Sequence, residues 1–439
     1  MRFFLIALST LVTTILSQYA FAIGADSSYA QTAVDQKISS TSPISILSST
    51  VTVTQPGYVY LQSDGRAFPN GNAIANLYIT SNGTKVSNGS VIDWSISTNS
   101  QQHAFNTIGS VYISTAGTYT FNLVASSING APFYVGAGSN LAVVTRPATN
   151  VQTATLGSDS ATLSFNTAGI KKGTPLPNQS LVSIAIPQSV ANTPVIALAS
   201  GRIYDGATYG DPLTSIYVNN GESANNVASW SDNDMWKGAE NQAPFFNHAY
   251  LMSPASGTTV SWNASALPYC EDIAGTCPIS PNNVSYKVGG DSTLAVLSGG
   301  MSVVGAYATT GDSNNRTNYI NIGDGTAAPV SLLTTTINIP SNHNGIVFFT
   351  GKTRVQGDPA DAGGTVSLWL QIDGVQYGNT AIQQLKSPDS VSTRTIGVNY
   401  LSLGHRLSPG AHTVVLMGQA VGSFKHLSLT QDLPLIWFD

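Results

Sequence analysis

The chain contains three glutamates, Glu222, Glu240 and Glu271, all in its middle third. Polysaccharide hydrolysis needs two facing carboxyl groups held at unlike pKa values, so a polysaccharide-cleaving reading would give catalysis to Glu222 and Glu240. Between them runs Trp230-Ser231-Asp232-Asn233-Asp234-Met235-Trp236. Indole faces stack on the apolar faces of sugars, and carboxylate and amide oxygens hold hydroxyls or a hard cation. Trp230, Asp232, Asn233, Asp234 and Trp236 are therefore the candidate ligand-binding residues, with calcium the one cofactor that this chemistry admits. The competing reading is a solvated loop with two tryptophans packed along its edge.

Other chemistry is thinly represented. There is no Gly-x-Ser-x-Gly elbow and no His-Glu-x-x-His, and the nearest approach to a phosphate loop, Gly345 to Gly351-Lys352-Thr353, is one residue too long and has a strand's pattern. Gly311-Asp312 with Gly323-Asp324-Gly325 is acidic and turn-rich but lacks the spacing of a calcium loop. His405, His412 and His426 lie close in sequence, yet a metal needs ligands that converge in space, and no metal is assigned to them. Cys270 and Cys277, the only cysteines, form a disulfide if the chain is exported. Closing so short a loop would contribute roughly 2 to 3 kcal/mol in the chain-entropy model.

Composition limits the partners. Lys and Arg number only 17 and the net charge is -5, so there is no basic stripe to neutralise phosphates and nucleic acid is not an expected partner. Charged residues make up 9% of the chain, against about 25% in ordinary soluble proteins. Disorder does not follow, because 42% of the residues are apolar and their burial can offset the ordering entropy. At the N-terminus, Arg2, the apolar stretch Phe3 to Ser17 and Ala20-Phe21-Ala22 have the order of a cleavable signal peptide over residues 1–22. Later apolar runs fall short of the ~20 residues a membrane-spanning helix needs. The expectation is a secreted or cell-surface protein, or a periplasmic one.

The elements that would position these residues are strands. Val51-Thr52-Val53-Thr54, Asn76-Leu77-Tyr78-Ile79, Thr118 to Leu123 and Thr365 to Leu370 alternate with a period of two, the mark of half-buried strands. Asn82-Gly83, Asn220-Gly221 and Asp373-Gly374 are hairpin-turn pairs, since a type I′ turn needs positive φ at both central residues. Around them seven landmarks recur in the same order three times. Gly65-Arg66 returns as Gly201-Arg202 and Thr353-Arg354, and Asn140 to Val144 returns as Thr293 to Leu297 and Asp432 to Ile436. Domain-sized spacing of this kind predicts an all-β chain of three tandem antiparallel β-sandwich units, over residues 23–150, 151–310 and 311–439. With so few charges available, the repeated Arg66, Arg202 and Arg354 are expected to bond loop carbonyls or nearby carboxylates.

Each unit resembles the jelly-roll domains of the C1q and tumour-necrosis-factor-like superfamily. The resemblance rests on Pro56-Gly57-Tyr58 opening a strand, a middle strand closing on Asn-Gly, Ala116-Gly117-Thr118-Tyr119-Thr120-Phe121, and a final Leu-rich strand. It implies a binding module and a trimer or, within one chain, a pseudo-trimer. Together these features predict a non-catalytic protein that binds an extracellular glycan or cell-surface component. The alternatives are a structural subunit of an extracellular sheath, appendage or matrix, and a polysaccharide-cleaving enzyme.

Overall fold

The computed structural model describes residues 27–95, 102–146, 151–160, 162–166, 179–204, 210–219, 226–232, 242–251, 254–268, 283–298, 320–321, 328–341, 345–356, 363–386, 393–402, 406–422, 428–432 and 435–438. Apart from one 3-10 turn at Gln188–Val190, their regular structure is β. The first stretch forms β1 (Ser28–Gln31), β2 (Gln36–Ile38), β3 (Ile44–Val53), β4 (Gly57–Pro69), β5 (Ile74–Ser81), β6 (Thr84–Lys85), β7 (Ser90–Asp93), β8 (His103–Ile113), β9 (Gly117–Ser127), β10 (Phe133–Val135) and β11 (Asn140–Arg146). The second forms β12 (Val151–Thr155), β13 (Leu163–Asn166), β14 (Gln179–Ala185), β15 (Val195–Tyr204), β16 (Gly210–Asn219), β17 (Asn226–Asp232), β18 (Gln242–Leu251), β19 (Thr259–Pro268), β20 (Asn283–Val288) and β21 (Thr293–Ser298). The third forms β22 (Ile320–Asn321), β23 (Val330–Ile339), β24 (Ile346–Gln356), β25 (Gly363–Ile372), β26 (Val375–Lys386), β27 (Thr393–Leu401), β28 (Gly410–Gly422), β29 (Ser428–Asp432) and β30 (Leu435–Phe438).

Each stretch folds into two antiparallel sheets. The outer sheets are ordered β3-β9-β5-β6 with β7 on β5, then β14-β19-β16-β17, then β23-β28-β25-β26. The inner sheets are built on β4, β15 and β24, which pair on one side with β8, β18 and β27 respectively. On the other side they take β11 and β10, β21 and β20, and β30 and β29. The hairpin pairs do what their composition predicts where they are described: Asn82 and Gly83 have φ of 50° and 79°, Asp373 and Gly374 have 51° and 80°, both type I′ in sign. Asn220-Gly221 lies outside the described residues.

Three cores fill the sandwiches. Trp94, Phe121 and Phe133 lie in the first, Trp262 and Tyr286 in the second, and Phe349, Leu368 and Leu416 in the third. A fourth core belongs to all three units. Tyr60, Ile108 and Val144 of the first, Ile196, Leu198, Phe246 and Leu297 of the second, and Phe348 and Leu401 of the third form one buried cluster. The inner sheets are therefore covered on both faces. Val195 to Ala199 is apolar without a break and wholly buried, as a strand covered on both sides requires.

The seams between units follow one rule. β7 and β8 pack on β15 and β18, β17 and β18 pack on β24 and β27, and β26 and β27 pack on β4 and β8. Each unit thus offers one edge to the next, and the third returns to the first, the head-to-tail contact that closes a ring.

Candidate functional site

Strand register fixes where the predicted ligand-binding residues stand. Tyr204 lies opposite Gln242, Gly210 opposite Pro268, and Leu213 opposite Asp232. Segments 205–209, 233–241 and 269–282 therefore leave the second unit at one end. Segment 167–178 joins them there, because Asn166 pairs with Asn283. Trp230 and Asp232 occupy the last turnward positions of β17 at that end. Asn233, Asp234, Trp236 and Glu240, and the cysteines Cys270 and Cys277, lie outside the described residues but in segments rooted at the same end. Glu222 is different. Its segment, 220–225, joins β16 to β17 at the opposite end, where Val218 pairs with Asn226. At 3.3 Å per residue the two roots of β17 stand about 20 Å apart.

Two of the repeated arginines, Arg66 and Arg202, sit in matching contacts. Arg66 donates from Nη1 to Gln102 Oε1 at 3.1 Å, pairs with Asp35 at 3.3 Å, and lies 5.7 Å from the Phe68 ring centre. Arg202 reproduces this with Asp159 at 3.8 Å and Tyr204 at 5.3 Å. The Tyr204 hydroxyl, the Gly290 amide and Arg202 hold the Asp159 carboxyl below its usual range. Both guanidinium stems lie flat on a glycine. A Cβ on Gly136 would sit 2.3 Å from Arg66 Nε, and one on Gly289 would sit 2.6 Å from Arg202 Nε. The side chain of Arg354 is outside the described set. So are His405 and His426, while His412 donates to the Ser408 carbonyl at 2.7 Å and pairs with Asp373 at 2.6 Å. Among the described residues no group of three His, Cys, Asp or Glu side chains comes together as metal ligands would. No described helix is long and apolar enough to cross a membrane.

A polar site that the sequence reading did not single out lies where the three units meet. Asp64, on β4, is 0% exposed. Its carboxylate accepts hydrogen bonds from Gln62 Nε2 at 3.0 Å, from Asn106 Nδ2 across the β4–β8 pair, and from Asn399 Nδ2 of the third unit. The Tyr60 hydroxyl donates to Gln62 Oε1 at 2.8 Å. Ser200 of the second unit donates to the Asn106 carbonyl at 3.1 Å and receives Asn88 Nδ2 at 3.1 Å. One buried carboxylate thus bonds across the seam between the first and third units, and Asn106 beside it also bonds the second through its main-chain carbonyl. Burial pushes its pKa up to about 7, against the pull of its three amide donors. Nearby phenols are held protonated: burial raises Tyr60 and Tyr29 well above the ordinary tyrosine value, with Asp64 adding to both, and raises Tyr400 to about 12.

No family model matches the chain, and no curated protein does. Solved structures that resemble it include PNGF-II, at 9% identity over 94% of this chain and 99% of that one, with a TM-score of 0.30. PNGase F, a glycosylasparaginase from Flavobacterium meningosepticum, is similar at 11% identity over 64% and 100%, with a TM-score of 0.28. The tandem CBM22-1–CBM22-2 domain of Xyn10C from Paenibacillus barcinonensis is similar at 12% over 64% and 98%, with a TM-score of 0.18. At these scores nothing about ligand or chemistry passes from them to this chain.

Proposed function

We propose that the chain is an exported, non-catalytic binding protein that uses one end of its second unit to hold an extracellular glycan or cell-surface component. The observation that carries this reading is the register of β15 to β20, which roots the Trp-Asp segment and three others at one end of one sandwich. Convergent loops on a rigid sandwich are where binding residues concentrate. In this reading Trp230 and Trp236 stack on the ligand, and Asp232, Asn233 and Asp234 hold its hydroxyls, with calcium as a bridging ion if one is used. The polysaccharide-cleaving alternative asks Glu222 and Glu240 to face each other across roughly 5 to 10 Å. Their segments instead leave β17 at opposite ends. The jelly-roll resemblance enters the same proposal, with the three units as a pseudo-trimer in one chain.

A glycan array with the purified protein, followed by tryptophan fluorescence titration of each hit, tests the reading. Binding should be lost in Trp230→Ala and Trp236→Ala, and kept in Glu222→Gln and Glu240→Gln. Hits that survive both tryptophan replacements, or reducing ends released by the wild-type protein, would sink it.

A further inference from the structure

The ring's central contact carries a charge problem that its architecture does not need. On β4, β15 and β24 the residues facing the shared core come at matching register: Tyr60, Ile196 and Phe348 in one layer, then Gln62, Leu198 and Thr350. Asp64 and Ser200 follow, opposite Asn106 and Phe246, and Lys352 holds the matching backbone position opposite Gly397. Phe246 fills the room over Gly397, whose missing Cβ would lie 2.8 Å from its ring and 3.7 Å from Asp64 Oδ1. The carboxyl is therefore sealed in by side chains of the first and third units and a phenyl ring of the second. An ionised carboxylate out of water is costly even when it is hydrogen-bonded.

The surroundings suit the neutral acid as well as the ion. Asn106 Oδ1 and Asn399 Oδ1 are buried and accept no hydrogen bond, although each amide already touches Asp64 through its nitrogen. Turning either amide about its last torsion replaces N–H···O with O–H···O, so a protonated Asp64 donates to one asparagine and still accepts from the other and from Gln62. The ion, by contrast, takes three donors and leaves both acceptors unmet. The seam beside it is a hydrogen-bonded edge: Gln384 N donates to the Gln102 carbonyl at 2.9 Å and Ala104 N to Gln383 Oε1 at 3.2 Å.

We propose that Asp64 is a proton-operated lock on the ring, tying the first unit to the third when neutral and loosening that seam when ionised. Other titratable groups stand close to it. Tyr60 on β4, Tyr29 on β1 and Tyr400 on β27 stay neutral. Arg66 is committed to Asp35 and Gln102, and His103 on β8 contacts Gln383 at 3.4 Å. Lys352 on β24 stands at the register position matching Asp64.

Two measurements on the full chain test the lock. Infrared difference spectra should show a protonated-carboxyl band that disappears with a midpoint near pH 7 and is missing in Asp64→Asn. Hydrogen exchange, corrected for its intrinsic pH dependence, should show Ala104 and Gln384 losing roughly tenfold or more protection between about pH 5 and about pH 9. Asp64→Asn should abolish that loss. If this variant does not fold, Asp64→Ser serves, since Ser200 occupies the equivalent place. A band that titrates only in the ordinary carboxylate range overturns the proposal. So does a seam whose protection follows the same pH profile with and without Asp64.

Discussion

Replacing Phe348 by alanine tests whether the three sandwiches are one cooperative structure. Phe348 is 0% exposed, belongs to the core shared by all units, and meets the Tyr60 ring edge-on at 6.2 Å. Truncating a buried phenylalanine costs about 3 to 5 kcal/mol. What this does to the melt depends on how much of the chain unfolds with it. Unfolding entropy is about 2.1 cal/mol/K per residue. If strands from Ser28 to Phe438 unfold together, roughly 410 residues share the loss and 4 kcal/mol lowers the midpoint by about 5 °C. If the third unit unfolds alone, roughly 120 residues carry it and the shift is about 16 °C. Because the core is continuous across units, we expect one transition in differential scanning calorimetry, lowered by about 5 °C. A separate early transition carrying about a third of the enthalpy, displaced by about 16 °C, would show that the ring is three independent sandwiches in contact.

Further expectations follow from single contacts. Gly397→Ala drives a methyl into the Phe246 ring and should cost about 1 to 3 kcal/mol by overpacking. Combining it with Phe246→Ala should cost less than the two separate losses added, as read from urea midpoints. His412 is partly desolvated, which lowers its pKa, but the Asp373 carboxylate and the Ser408 carbonyl outweigh this and raise it. Its contribution is complete below the unfolded histidine value and is lost as pH rises through the raised one. Asp373, whose pKa is lowered chiefly by the His412 bond, contributes above the unfolded carboxylate value and loses it as pH falls. Asp373→Asn should therefore flatten both flanks of the pH–stability curve. The Lys85–Asp291 pair joins the first two units but is 38% and 28% exposed. Lys85→Ala should cost less than about 1 kcal/mol and cost less still in high salt.

Local order was legible in the sequence because local rules govern it. Asn82-Gly83 and Asp373-Gly374 took their turns through positive φ, and the alternation of Val51 to Val53 matches the alternate burial at the end of β3. What alternation could not show was the second covering of β4, because Tyr60, Gln62 and Asp64 read there as a solvent face. The clue lay in the equivalent positions, where Ile196, Leu198 and Phe348 are apolar. At the Tyr60 level the other two copies are apolar, but at the Gln62 level only Leu198 is and at the Asp64 level none is, so the sign of burial fades toward the carboxylate. Asp64 and Asn399, 335 residues apart, share no local pattern, so only the closure of the ring brings them together.

That closure also explains what three units in one chain permit and three identical chains would not. A head-to-tail trimer of one sequence repeats every axial residue three times. Three copies of Asp64 at one level would set three buried carboxyl groups against one another, and like charges this close cannot all ionise. In the single chain the matching register positions carry three different residues, Asp64, Ser200 and Lys352. The amide that completes Asp64 comes from Asn399 of one neighbouring unit, and the space above Gly397 is filled by Phe246 of the other. Each of these residues is useful only where it stands. The seams therefore cannot be exchanged: Asp64 answers to the seam between first and third units, while the Lys85–Asp291 pair belongs to the seam between first and second. Swapping the β4 segment Tyr60 to Asp64 for its counterpart Ile196 to Ser200 should keep the apolar layer. It should also remove the proton dependence of the first-to-third seam and leave Asn106 and Asn399 without their shared partner, so the ring would be constant in pH but weaker at that edge.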